Sequence, residues 1–253
     1  KLFLSKTSQK IDKLSEPIPE LLKELKQNYL KNINMVNFLR NYGINRLERA
    51  GNSIMVRGES DKSWIYFSSD NESELNTLCT LLVPDDKYFA ALEDWMINVI
   101  GQYRKPVWKL SCLRLFLPRD YQVREPKHLL KPLTVRDVAY IYENSSYKKY
   151  TDYDYILDRI KNGISLGLYD RGGLIAWILT HDDGAMGFLN VLPEYRRMGY
   201  GSDLTRGMIK ILRSKNRIPF VHIEEENTKS MNLAVKLGFE KDRIVHWMRA
   251  ESQ

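Results

Sequence analysis

Two cysteines in 253 residues, Cys79 and Cys112, are too few for a disulfide framework. Each lies in an apolar run, Leu-Asn-Thr-Leu-Cys79-Thr-Leu-Leu and Lys-Leu-Ser-Cys112-Leu-Arg-Leu-Phe, the setting of a buried free thiol in a reducing compartment. The four histidines, at 128, 181, 222 and 246, are scattered and have no cysteine companions, so metal-ligand spacing is absent. The most apolar run, residues 174–179, is far too short to cross a bilayer. No charged–apolar–small signal peptide opens the chain, and Lys1 in place of Met suggests a trimmed start. A Walker Gly-Lys-Ser/Thr, a nucleophile elbow, low-complexity tracts and short-period repeats are also missing. These gaps exclude a disulfide-stapled module, a zinc site, a membrane-spanning helix, a P-loop nucleotidase and a serine hydrolase.

Charge asymmetry is lacking too. The net charge is +7 and the pI about 9.2. Residues 1–120 hold 18 Lys/Arg against 15 Asp/Glu, and residues 121–253 hold 21 against 17. A solvated surface with a modest preference for anions follows. A nucleic-acid binder would rest on the pI alone, because no basic stripe or aromatic platform motif accompanies it.

Helical and strand patterns fill most of the chain. Residues 17–42 read as helix, with Leu21, Leu22, Leu25, Tyr29 and Leu30 at helical spacing, Pro17 and Pro19 near its start, and a break before Met35. Strands are predicted over 53–57, 63–67 and 110–117, and helices over 70–82 and 87–100. The charged, proline-punctuated stretch 118–132 marks a boundary between an N-terminal α/β domain, 1–120, and a second domain, 121–253. The second domain starts over with helices at 134–144 and 152–162. Three strands at 164–169, 174–180 and 186–192 form an antiparallel meander. A helix over 201–215, a strand over 220–224, a helix over 228–237 and a strand near 244–249 complete a mixed α/β order.

One segment carries chemistry. After the strand ending near Leu192 come Arg196-Arg197-Met198-Gly199-Tyr200-Gly201-Ser202, and a helix begins at once. The first four N–H groups of a helix have no internal partner, and the helix dipole concentrates positive potential there. Gly199 and Gly201 let the backbone approach a pyrophosphate closely. Arg196 and Arg197 add charge, and Ser202 a hydroxyl. Leu204, Met208, Ile211 and Leu212 are set to bury against a sheet.

This run resembles motif A of the GNAT (GCN5-related) N-acyltransferases, Arg/Gln-x-x-Gly-x-Gly/Ala after an apolar strand and a proline. Asn227-Thr228-Lys229-Ser230-Met231-Asn232-Leu233, followed by Leu237-Gly238-Phe239, is similar to the family's second helix and its exit. Trp177, the Leu192-Pro193-Glu194-Tyr195-Arg196 run and Pro219 resemble the glycine N-acyltransferase group more narrowly. The resemblance covers residues 121–253. It implies a GNAT fold, a mixed and mostly antiparallel sheet flanked by helices, with the first domain a smaller, degenerate GNAT-like half without phosphate-loop glycines. It implies acetyl-CoA or another acyl-CoA as co-substrate, an amine such as glycine or another amino acid as acceptor, no metal, and an intracellular setting, cytoplasmic or mitochondrial. Backbone groups of Leu189, Asn190 and Val191 are expected to hold the pantetheine arm, and those from Arg197 through Met198, Gly199, Tyr200 and Gly201 to Ser202 the pyrophosphate. Asn227 and Ser230 are expected along the same cleft, and the Val191 N–H at the oxyanion.

The acid and base are where the chain departs from its relatives. The glutamate that glycine N-acyltransferases use as base corresponds to Ala185 here, and the tyrosine that many relatives use as acid corresponds to Ala234. Asp183, His222 and Glu224 are the candidate substitutes, alongside Asp182 and His181. A non-catalytic acyl-CoA-binding module is the competing expectation.

Overall fold

The computed structural model describes residues 18–145, 148 and 151–252, so the start expected at Pro17 lies outside the described residues. In the first half, α1 (Ile18–Leu25) and α2 (Ile33–Asn41) precede β1 (Arg46–Ala50), β2 (Ser53–Glu59) and β3 (Ser63–Ser68). Then follow α3 (Glu72–Thr80), β4 (Tyr88–Leu92), α4 (Asp94–Ile100) and β5 (Arg104–Phe116). The second half repeats that order. It runs α5 (Val138–Asn144), α6 (Tyr153–Asn162), β6 (Ser165–Asp170), β7 (Gly173–Thr180) and β8 (Met186–Val191), then α7 (Tyr200–Ser214), β9 (Phe220–Ile223), α8 (Thr228–Lys236) and β10 (Glu240–Ser252).

All ten strands form one sheet in the order β1-β2-β3-β4-β10-β5-β9-β8-β7-β6. Every pairing is antiparallel except β3 with β4 and β8 with β9. The last strand of each half crosses over: β5 lies beside β9, and β10 beside β4. Between them β5 and β10 run antiparallel from Glu240 opposite Phe116 to Ser252 opposite Arg104. A pseudo-dyad therefore passes between β5 and β10, and the sheet is continuous across the division expected at 118–132. Helices cover both faces symmetrically. The pairs α1/α2 and α5/α6 pack on one face, and α3/α4 and α7/α8 on the other, each over its own apolar cluster.

One expectation needs correction, one strand carried no expectation, and the expected break in the first helix is located. Residues 87–100 are not one helix, because Tyr88–Leu92 is the strand β4 and only Asp94–Ile100 is helical. Tyr-Phe-Ala-Ala-Leu is short and apolar, a pattern that suits a buried strand as well as a helix turn, and pairing to β3 and β10 decides it. Residues 46–50, polar and unassigned by pattern, form the edge strand β1 against β2. The long first helix breaks between Leu25 and Ile33 through a 3₁₀ turn at Lys26–Asn28.

The linker 118–132 is strapped across α7. Asp203 accepts the backbone N–H groups of Lys127 and His128 and contacts the His128 ring at 2.6 Å. Arg213 donates to the carbonyls of Tyr121 and Pro118. Leu130 lies so close to Gly207 that a Cβ there would come within 2.4 Å of it. These contacts fix α7 and hence the loop that precedes it.

Candidate functional site

The parallel strands β8 and β9 meet only at Met186 opposite Val221, then separate. Their counterparts β3 and β4 stay zipped over three positions, Trp64–Tyr88 to Tyr66–Ala90. The second half thus has an opening between strands that the first half has closed. A bulge on β8 lies against β7, and Phe188 there takes φ +53°, a conformation costly for a bulky side chain. Beyond the bulge Leu192 donates its N–H to the Ile175 carbonyl at 3.0 Å. Antiparallel ladders alternate, so Asn190 also turns its backbone to β7, opposite Trp177, and Val191 turns its N–H and C=O toward the opening. The Val191 carbonyl accepts from Arg196 Nε at 3.0 Å, and Leu189 lies within the bulge.

The loop at the far end of this opening has the geometry of an anion cradle. Arg197 (φ +65°) and Gly199 (φ +86°) are left-handed, and α7 begins at Tyr200. A Cβ on Gly199 would meet nothing within 4 Å, so glycine is there for its backbone and leaves open space in front of it. A Cβ on Gly201 would sit 3.8 Å from Leu189 and Val191 and 3.9 Å from Leu233, narrowing the opening itself. Arg196, Arg197 and Met198 are exposed, and Ser202 is half-buried in the first helical turn. Tyr200 is set edge-on to His128 at 4.7 Å. Backbone N–H groups, two guanidinium groups and space fit a pyrophosphate and its extended arm. The matching terminus in the first half has Glu72 and Glu74 in the first turn of α3, and Asn71 already caps the Glu74 N–H, so it repels an anion. At α8, Asn227 accepts the Ser230 N–H at 3.1 Å and so spends its oxygen on its own helix.

The opening leads to a cavity of about 540 Å³ on the α1/α2/α5/α6 face, at the seam between the halves. Asp183, His222, Glu224 and Asn227 all line it, so the three candidate acid–base residues share one chamber. Asp183 is 2% exposed. Its carboxylate accepts from the Ala185 N–H at 3.0 Å and from Asn34 Nδ2 at 2.7 Å, and lies 3.9 Å from His222 Nδ1. Asn34 Nδ2 is also 3.0 Å from His222 Nε2, and Asn34 Oδ1 accepts from Arg114 at 2.6 Å. Arg114 in turn is held by Asp242. A buried chain Asp242–Arg114–Asn34–Asp183 thus crosses the pseudo-dyad. Burial lowers the His222 pKa to about 3 despite Asp183 nearby, so its ring is neutral. Burial, reinforced by the Asp183 charge, raises Asp182 to about 7. Asp182 is tied to the first half by Ser60, which donates to it at 2.6 Å.

Ala185 is wholly buried and clusters with Ile33, Ile218 and Phe220. Ala234 is buried under α8 in the large cluster of the second half. Neither lines the cavity. Sequence reasoning anticipated acceptor-side walls from the first half but missed Asn34 and Arg114. The readable signal was Asn34 and Asn37, amides in the otherwise apolar run Ile-Asn-Met-Val-Asn-Phe-Leu of α2, both 1% exposed. The thiol of Cys112 also lines the cavity, with burial pushing it up to about 12. Among the described residues no group of three His, Cys, Asp or Glu is arranged to hold a metal ion, and no helix is long and apolar enough to cross a membrane.

Residues 163–248 match the family model of FR47-like proteins. None of the curated proteins matches the chain in sequence. A crystal structure of a Drosophila protein superposes with a TM-score of 0.72 at 19% identity, over 92% of this chain and 95% of that one. A tandem GNAT protein from the clavulanic acid biosynthesis pathway gives 0.55 at 14% identity, over 94% and 95%. A GCN5-related N-acetyltransferase from Kribbella flavida gives 0.54 at 12%, over 87% and 94%. At these identities the likeness is one of fold.

Proposed function

We propose that this chain is a GNAT-type, acyl-CoA-dependent N-acyltransferase that moves an acyl group directly from a CoA thioester to the amine of a small acceptor, a reading supported by the FR47-like match and the GNAT-like fold. One observation carries the reading: the gap between β8 and β9 starts at a glycine turn able to cradle a pyrophosphate and ends on a cavity holding Asp183, His222 and Glu224. Residues 121–253 would hold acyl-CoA, and residues 1–120 would wall the acceptor side.

Arg197 and the N–H groups from Met198 to Ser202 would hold the diphosphate. Leu189 and Val191 would line the arm. Acyl-CoA supplies an activated thioester carbonyl. When the acceptor nitrogen adds there, the C–N bond forms and the C–S bond breaks, and the sulfur leaves with the electron pair. The outward-turned Val191 N–H would face the carbonyl oxygen as it gains charge. The ammonium of the acceptor must first lose a proton. Asp182, which burial raises to about 7, is suited to take it, with Asp183 and neutral His222 beside it and Glu224 on the same wall. Two buried free thiols suit an intracellular compartment, cytoplasmic or mitochondrial.

Incubation with acetyl-CoA and a panel of amines, glycine and other amino acids among them, with detection of free CoA thiol, tests the activity. Thiol release above hydrolysis is the expected result, and none for any acyl chain or acceptor would reject it. The alternative of a non-catalytic acyl-CoA-binding module is favoured by the apolar packing of Ala185 and Ala234. It predicts a CoA-dependent rise in melting temperature without turnover.

A further inference from the structure

The acceptor cavity has a charge and wall composition that select for one class of amine. Five carboxylates line it: Asp61 on the β2–β3 turn, Asp152 at the start of α6, Asp182 and Asp183 on the β7–β8 turn, and Glu224 after β9. Among the described residues the single cationic side chain on its wall is Lys62, and that ammonium lies 3.6 Å from its neighbour Asp61. Arg159, whose charge acts on both paired aspartates, is buried on α6, engaged by Asp158 and not part of the cavity wall. An amino-acid acceptor would have to bring its own carboxylate in among these carboxylates, where the described wall offers only Lys62, already beside Asp61.

The remaining walls are aromatic. Trp64, Tyr88, Trp108 and Trp247 come from the central strands, and Tyr155 from α6. Trp64 and Tyr88 meet edge-on at 5.7 Å, and the His222 ring stands against Trp247 at 4.6 Å. Ring faces and carboxylates together stabilise an ammonium group that has shed water, through cation–π attraction and charge-assisted hydrogen bonds. Neutral His222 adds no competing positive charge.

Resting on the acyltransferase reading above, we infer that the acceptor is a small aliphatic amine with no carboxylate and a second positive charge, a diamine or polyamine. One nitrogen loses its proton and reacts, while the other stays charged among Asp61 and the aromatic rings. Burial first, and the Asp183 and Asp61 charges after it, raise Asp182, and a bound cation would offset those charges.

The test compares 1,4-diaminobutane, 1-aminobutane and glycine with the whole chain and acetyl-CoA, reading both thiol release and calorimetric binding of each amine. Asp61 is exposed, so Asp61→Asn retains the fold. The expected result is kcat/KM for the diamine at least about tenfold above that for glycine and for the monoamine. Asp61→Asn should raise KM for the diamine about fivefold with little change in kcat or in KM for acetyl-CoA, a split that a merely structural role would not give. Glycine or the monoamine equalling the diamine, or Asp61→Asn leaving its KM unchanged, overturns the inference while the acyltransferase reading stands. If no acceptor releases thiol, that reading fails and binding alone decides. Calorimetric binding of 1,4-diaminobutane that weakens in Asp61→Asn sustains the inference, and no binding overturns it.

Discussion

Asn34 of the first half donates its side-chain amide to Asp183 of the second half at 2.7 Å, across 149 residues of sequence. The same side chain accepts from Arg114 at 2.6 Å. A single buried amide therefore joins a carboxylate in the cavity to a guanidinium in the central strands. The first half reaches the candidate site through this residue.

Asn34→Ala leaves a buried carboxylate and a buried guanidinium each short of a partner. The expected cost is about 3 kcal/mol, read by urea unfolding. Acyl transfer should fall well beyond what the loss of folded protein explains, whereas CoA-dependent thermal stabilisation should persist, because α7 and its loop do not touch Asn34. Equal loss of both would mean that Asn34 supports only the fold.

The two loop glycines should respond in opposite directions. Gly199→Ala forces a side chain into a left-handed position and should cost about 1–2 kcal/mol through strain alone, as its Cβ meets nothing. Gly201 lies in the first turn of α7, where alanine favours the helix by about 0.5–1 kcal/mol and makes ordinary contacts. Gly201→Ala is thus expected to hold or raise the melting temperature while weakening CoA about tenfold, or about 1.4 kcal/mol, in calorimetry. Undiminished CoA affinity would remove the gap between β8 and β9 as the arm's path.

Asp182 and His222 make the pH profile of stability a balance. The folded pKa of Asp182, about 7, exceeds the unfolded value near ~3.9, so the native state binds more protons between them and stability falls as pH rises through that interval. For His222 the folded value of about 3 lies below ~6.5, the unfolded chain binds more protons, and stability rises with pH over that range. The two contributions oppose each other between pH ~4 and ~6.5. Asp182→Asn removes the first alone. Its melting temperature should climb more steeply than that of the parent from pH 4 to 7 and exceed it at pH 7.5. Parallel profiles would show that Asp182 titrates as an ordinary carboxylate.

Cys79 and Cys112 are both buried, with their thiols raised to about 12. At pH 8 neither should react with iodoacetamide while the chain is folded, and both should react once it is unfolded. Rapid alkylation of the native protein would contradict the burial of Cys112 in the cavity wall. The result also matters for thiol-release assays, which need a silent protein background.

The glycine turn of the proposed phosphate loop was legible because its geometry is local. Arg196 to Ser202, the strand before and the helix after all lie within a few turns of chain, and backbone N–H geometry follows from glycine and helix start alone. The meander β6–β8 was equally readable, since its turns are short. The acid–base chamber was not. Asp183 and His222 could be singled out by type, but Asn34, Arg114, Asp61 and Trp108 carry no motif and come from a half that resembles the family weakly.

By itself, then, the sequence determined a glycine turn running into a helix start in the second half, the order of most elements, and the alanines at 185 and 234 where relatives are expected to keep base and acid. Tertiary structure alone decided that β5 and β10 change places, that Tyr88–Leu92 is a strand, and that Asn34 and Arg114 link to Asp183. The physical reason is range. Turn and helix-start energies are set by neighbours in sequence, whereas strand exchange and buried hydrogen-bond chains such as Asn34–Asp183 depend on partners a hundred or more residues away, which no local pattern encodes.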